Sequence, residues 1–187
     1  MKITLENVRL AFSHPGLFVA SKVNGEGEAK FSCSLILTPG HKAIKLVEAT
    51  ALAVAREKWG AKAEQMIAAM KAQDKHPLHN GDTKSSYDGF PGNFFVSCRS
   101  VKKPLVIDRD RTPLDMSSPR LYSGAMVNAI IDLWPQDNNY GKRVNAQVMG
   151  VQFYADNDSF GGGGQIASQD DFADLGVGEE VTEDPLA

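Results

Sequence analysis

Three stretches of this 187-residue chain set aromatic rings beside cations. In "TKSSYDGFPGNFF" these are Lys84, Tyr87, Phe90 and Phe94 or Phe95. In "CRSVKK" and the "DRDR" that follows they are Arg99, Lys102, Lys103, Arg109 and Arg111, and in "WPQDNNYGKR" they are Trp134, Tyr140, Lys142 and Arg143. Flat apolar rings and permanent positive charges together suit a ligand made of planar groups strung on a polyanion, which describes an unpaired nucleic-acid strand. A single surface ring or lysine is unremarkable. Recurrence at three separate places carries the argument, although Trp134 and Phe94 also read individually as core residues.

Other chemistry finds fewer residues to work with. Asp108, Asp110 and Asp115 in "DRDRTPLD" could hold Mg²⁺ for a nuclease, but alternation with Arg109 and Arg111 reads better as an ion-paired loop. His76 and His79 in "HPLH" lack two further ligands nearby, so no metal is expected and both are read as solvated loop histidines. The "GGGG" run has no following Lys and Ser or Thr to cradle a phosphate. No cofactor and no catalytic residue are expected, so the chain reads as a binding protein and not an enzyme.

The elements that must position these residues follow from hydrophobic periodicity. "KITLENVRLAF" alternates through Ile3, Leu5, Val8, Leu10 and Phe12, with a one-step break at Glu6-Asn7 that predicts a bulged strand. "SHPGLFVASKVNGEGEA" reads as a loop and "KFSCSLILT" as the next strand. Ala-rich text from about residue 40 to 73, with Ile44, Val47, Ala51 and Val54 at helical spacing and Gly60 as a break, predicts two helices. Residues 75–93 read as a loop. "FFVSCRSV" is a strand, a short one follows Pro104, and two long strands, "YSGAMVNAIIDLWP" and "KRVNAQVMGVQFYA", form a closing hairpin across "QDNNYG". The fold expected is mainly β with a helical insertion: an OB-fold-like, five-stranded antiparallel Greek-key barrel.

Charge divides the chain at the end of the last strand. Residues 1–155 hold 20 Lys and Arg against 14 Asp and Glu, an excess of +6, whereas residues 156–187 hold 9 acids and no base. A binding body at 1–155 and a flexible, disordered Gly-rich acidic tail at 156–187 are therefore expected. The positive body suits a polyanion, and the tail suits competition for the same positive surface. No run of eighteen apolar residues and no leader-like start are present, so a cytoplasmic protein without membrane contact is expected. Cys33 and Cys98, each inside an apolar strand, read as buried free thiols.

The segments Asp108-Arg109, Tyr122-Ser123-Gly124, Val127-Asn128-Ala129 and Val148 with Gly150-Val151-Gln152, ahead of a Gly-rich acidic tail, resemble a family of phage-encoded single-stranded DNA-binding proteins. Pro39-Gly40 at a helix entry matches more loosely, so the resemblance spans most of the chain. It implies an OB-fold body, an acidic tail that contacts replication or recombination proteins, and sequence-tolerant binding of single-stranded DNA during phage replication, recombination or repair. Carried over, Tyr122, Gly124 and Asn128 fall on or beside a barrel strand, Tyr122 joining the candidate DNA contacts and Gly124 reading as a close-approach position. In the tail, Asp170, Asp171, Phe172, Asp174, Leu175, Glu179, Glu180, Glu183 and Asp184 become the candidate partner-docking segment. A homodimer exchanging tails is compatible with this plan. The rival readings are the Mg²⁺ nuclease and an adaptor that uses the barrel as a scaffold without touching DNA.

Overall fold

The computed structural model describes residues 1–160, so the tail positions named above, Asp170 to Asp184, lie outside the described residues. Among the described residues the order is β1 (Lys2–Ala11), β2 (Ser21–Val23), β3 (Glu26–Leu37), α1 (Lys42–Trp59), α2 (Ala63–Ala72), β4 (Leu78–Asn80), β5 (Phe94–Ser100), β6 (Leu105–Ile107), β7 (Met126–Asn138) and β8 (Gly141–Ala155). No helix among them is long and apolar enough to cross a membrane.

Five long strands carry the architecture. Antiparallel pairing runs β3 to β1, β1 to β7 and β7 to β8. β5 lies parallel to β8 at Cys98 and Ala146, and antiparallel to β3 from Phe31–Ser100 to Leu37–Phe94. The path of pairings therefore returns to β3, as an OB-fold plan expects, with a single parallel rung on its weakest side. The expected break in β1 is a bulge: register shifts between Leu5 and Val8, Asn7 sits at φ 53, and both Leu5 and Val8 remain buried.

Inward positions form one core of Leu5, Leu10, Leu35, Val96, Ile131, Leu133, Val148 and Phe153 with their neighbours. α1 adds Val47, Ala51 and Val54 to it, the stripe expected from helical spacing. His41 starts that helix, its Nδ1 accepting the Ala43 amide at 3.1 Å, and Gly60 at φ 55 ends it. Cys33 and Cys98 face each other across one β3–β5 rung as buried free thiols. The Cys33 sulfur and burial both push the Cys98 thiol well above the ordinary range.

Three expectations need correction. β3 begins at Glu26 and not Lys30, because Asn24 (φ 53) and Gly25 (φ 76) turn the chain back into β2 as a hairpin within the supposed loop. The short β4 pairs with β5 inside the second supposed loop. Phe12 lies beyond β1 at φ 54 and is 39% exposed, so the run of core positions ends at Leu10.

Candidate nucleic-acid interface

Alternation along β5 and β8 sends Val96, Cys98, Val144 and Ala146 inward, and leaves Ser97, Arg99, Arg143, Asn145 and Gln147 on the outer face. Those side chains floor a groove of about 620 Å³. One wall is Trp134 and Gln136 of β7; the other is the segment 74–79 with Thr83 and Lys84, and Lys30 of β3 contributes at the rim. Five cations line it, Lys30, Lys75, Lys84, Arg99 and Arg143. The carboxylate among its lining residues, Asp74, lies 2.6 Å from His79 Nδ1 and so is already engaged. Gln136 Oε1 accepts from Asn145 Nδ2 at 2.9 Å, and Ser100 Oγ accepts from Gln147 Nε2 at 3.3 Å, fixing polar groups along the floor.

Lys84 joins this groove to an aromatic cluster. Its ammonium stands 4.7 Å from the Phe95 ring centroid, 5.2 Å from Phe12 and 5.4 Å from Phe90. Burial lowers its pKa first and the positive charge of Arg99 lowers it further, which marks a place where positive charge is concentrated. Phe12 packs edge-on to Tyr87 at 5.1 Å and stacked on Phe90 at 5.4 Å. Tyr87 is 51% exposed, so Phe12 and Tyr87 offer ring surface while Phe90, 1% exposed, supports them from below.

The structure thus brings Lys84, Arg99, Trp134 and Arg143 together around one groove, with Tyr87 and Phe90 at its aromatic end. Phe94 packs half-buried on the core. Tyr140, 85% exposed, occupies the β7–β8 turn, and Lys142, at the start of β8, lies 3.7 Å from Asp137 of β7. Lys102 and Lys103 are exposed after β5, Arg109 and Arg111 belong to the turn after β6, and none of the four lines the groove. Tyr122 bonds to Asp156 and Asn157 instead. Sequence reasoning missed Lys30, Lys75, His79 and Phe12. Only Lys30 carried a usable signal, sharing the outward parity of Ser32 and Ser34.

No group of His, Cys, Asp and Glu among the described residues could hold a metal ion. Asp108 pairs at 3.4 Å with Arg120, and not with Arg109 or Arg111, while Asp110 and Asp115 each accept a backbone amide two residues on, as carboxylates that shape a loop do. His76 corrects the solvated-loop reading, being 2% exposed. Its Nδ1 accepts the Leu78 amide at 3.2 Å, and burial before all else holds its pKa below the ordinary value. The unfolded chain therefore takes up a proton that the folded one resists, so His76 stabilises the fold fully above about pH 6.5 and loses that contribution as pH falls below it. The melting temperature is expected to drop between pH 7 and 5, and to drop less in His76→Gln, whose amide oxygen can still accept from Leu78; thermal scans at the two pH values check this.

A ring of five strands with a basic, aromatic-walled groove on its outer face is an arrangement that suits an extended polyanion carrying planar groups. The chain belongs to the family described as the single-stranded DNA-binding protein of Enterobacter phage Enc34, whose model matches residues 1–185. It is 41% identical over 183 residues to protein p50 of Acyrthosiphon pisum secondary endosymbiont phage 1, covering 96% of this chain and 97% of that one. Among solved structures it is similar to the single-stranded DNA-binding protein of bacteriophage Enc34 in complex with single-stranded DNA: TM-score 0.72, 24% identity, 86% of this chain and 89% of that chain. The single-stranded DNA-binding protein gp2.5 of bacteriophage T7 shares the fold, with TM-score 0.57 and 12% identity over 89% of this chain and 97% of that chain.

Proposed function

We propose that this chain is a non-enzymatic protein that binds single-stranded DNA without regard to sequence, coating strands exposed in phage replication, recombination or repair in the host cytoplasm. The observation that carries the reading is the convergence of five cations and Trp134 on one groove, in a family and fold of single-stranded DNA-binding proteins. Phosphates meet Lys30, Lys75, Lys84, Arg99 and Arg143, and bases stack on Trp134 and, past Lys84, on Tyr87 and Phe12. Such a body covers roughly 4 to 16 nucleotides.

The acidic tail completes the reading. The seven acids that follow the glycine run compete with DNA for the groove, and once displaced they are free to dock replication or recombination proteins or the groove of a second copy. Removing residues 161–187 is expected to tighten oligo-dT binding by about tenfold at low salt, with the gap closing as salt screens the tail. Fluorescence anisotropy on both proteins tests it. Equal affinity would end the competition model, and no binding by either protein would end the groove reading.

A further inference from the structure

Past β8 the chain turns back onto the body as a strap, Asp156–Phe160. Tyr122 Oη lies 3.0 Å from Asp156 Oδ1 and 2.9 Å from the Asn157 carbonyl, and it accepts the Asn157 amide at 3.0 Å. Arg9 Nη2 donates to the Asp158 carbonyl at 2.6 Å, and the Phe160 amide donates to the Ser123 carbonyl at 2.8 Å. Gly124, at φ +113, leaves room that the strap occupies: a Cβ there would overlap the Asp158 carbonyl oxygen. Tyr122-Ser123-Gly124 is thus the strap's seat, and each of the three residues holds a different part of it.

The far end of the strap reaches the loop proposed to meet DNA. The Phe160 ring is clasped by the Arg9 guanidinium, 4.1 Å from its centroid. It packs against Ala11, Ile36, Phe90 and Phe95, and lies so close over Gly89 that any side chain there would strike the ring. Phe90 in turn stacks on Phe12 and sits under Lys84 and beside Tyr87. An unbroken series of contacts therefore links Phe160 to Lys84 and Tyr87, which lie at the groove's aromatic end.

We infer that Phe160 is a positioning residue for single-stranded DNA binding: it holds Gly89 and Phe90 in place, and through them the cation and ring that Lys84 and Tyr87 present. The binding unit then ends at Phe160 and not at Ala155. This rests on the reading that Lys84 and Tyr87 contact the strand. Its sign is opposite to that of the acidic tail, since losing the tail frees the groove whereas losing Phe160 loosens one wall of it.

The test uses the full chain with Phe160→Ala, Tyr87→Ala and the double substitution, measured by oligo-dT anisotropy and by amide hydrogen exchange over residues 81–93. Phe160 lies outside the barrel core, and thermal unfolding confirms that each variant is folded. Phe160→Ala is expected to weaken binding about tenfold, the size of one lost base stack, and to speed exchange in the loop. The double variant should bind about as weakly as the worse single one, because both act through the same contact. Phe160→Tyr keeps the ring under Arg9 and should restore binding. Unchanged or tighter binding by Phe160→Ala, or losses that simply add in the double variant, would overturn the inference. A Tyr87→Ala protein that binds like the parent would instead remove the stacking contact on which the inference rests, whatever the loop's exchange shows.

Discussion

Replacing Trp134 with alanine is expected to lower oligo-dT affinity by about tenfold to a hundredfold while leaving its dependence on salt unchanged, because a base stacked on an aromatic ring contributes about 1–3 kcal/mol and no counterion is released in the contact. Trp134 stands on the outer face of β7, opposite Asn145, and is 40% exposed where it walls the groove. Its inward neighbour Leu133 is fully buried, so the indole can be removed without opening the core. Arg99→Ala should behave in the complementary way. It removes one phosphate partner from the floor, so the slope of log affinity against log salt should become shallower by about 0.7, the value for one contact to a single strand. Titrations of the two variants at several salt concentrations separate the roles. A Trp134→Ala protein whose salt slope changed while its low-salt affinity did not would place the ring outside the strand's path.

The residues that were legible in the sequence and those that were not differ in how locally their orientation is determined. Arg99, Trp134 and Arg143 sit in strands whose two-residue period fixes which side faces out, so their presence on one outer face follows from "FFVSCRSV", "NAIIDLWP" and "KRVNAQVM" once the strands are adjacent. Lys102, Lys103, Arg109 and Arg111 belong to turns, where no period exists. Local charge density drew attention to them, but which side of the ring they flank depends on β6 pairing with β8, a contact between residues more than forty positions apart. Phe12 fails for a different reason. Its alternation with Leu10 points inward, and a single positive φ at the strand's end reverses it. In the carried-over Tyr122-Ser123-Gly124 motif Gly124 was legible as a close-approach position, but what approaches it was not, because the strap that begins directly after β8 carries no pattern of its own.

The aromatic end of the groove depends on backbone closure as much as on side chains, and Gly81 is where that dependence is sharpest. The loop from Gly81 to Asn93 is tied at its mouth by the Gly81 amide donating to the Asn93 carbonyl at 2.7 Å, and one residue further in by Asp82 Oδ1 accepting the Gly92 amide at 2.8 Å. Asn93 adds a side-chain bond to the Gly89 carbonyl at 2.8 Å. A Cβ on Gly81 would overlap the Phe90 carbonyl oxygen and stand 2.6 Å from that of Asn93. Both neighbours are backbone, so no rotamer change relieves the clash, and the mouth of the loop must open. Gly81→Ala is therefore expected to destabilise the protein by about 3 kcal/mol, near the upper end for overpacking a closed site. It should also weaken oligo-dT binding at temperatures where the protein remains folded, since Phe90 moves and takes Lys84 and Tyr87 with it. The exposed Ser86→Ala in the same loop should do neither. Thermal unfolding and anisotropy on the pair decide the matter: a Gly81→Ala protein with the parent's melting temperature would mean that the loop relaxes freely, and that its closed form is not what presents Lys84 and Tyr87 to the strand.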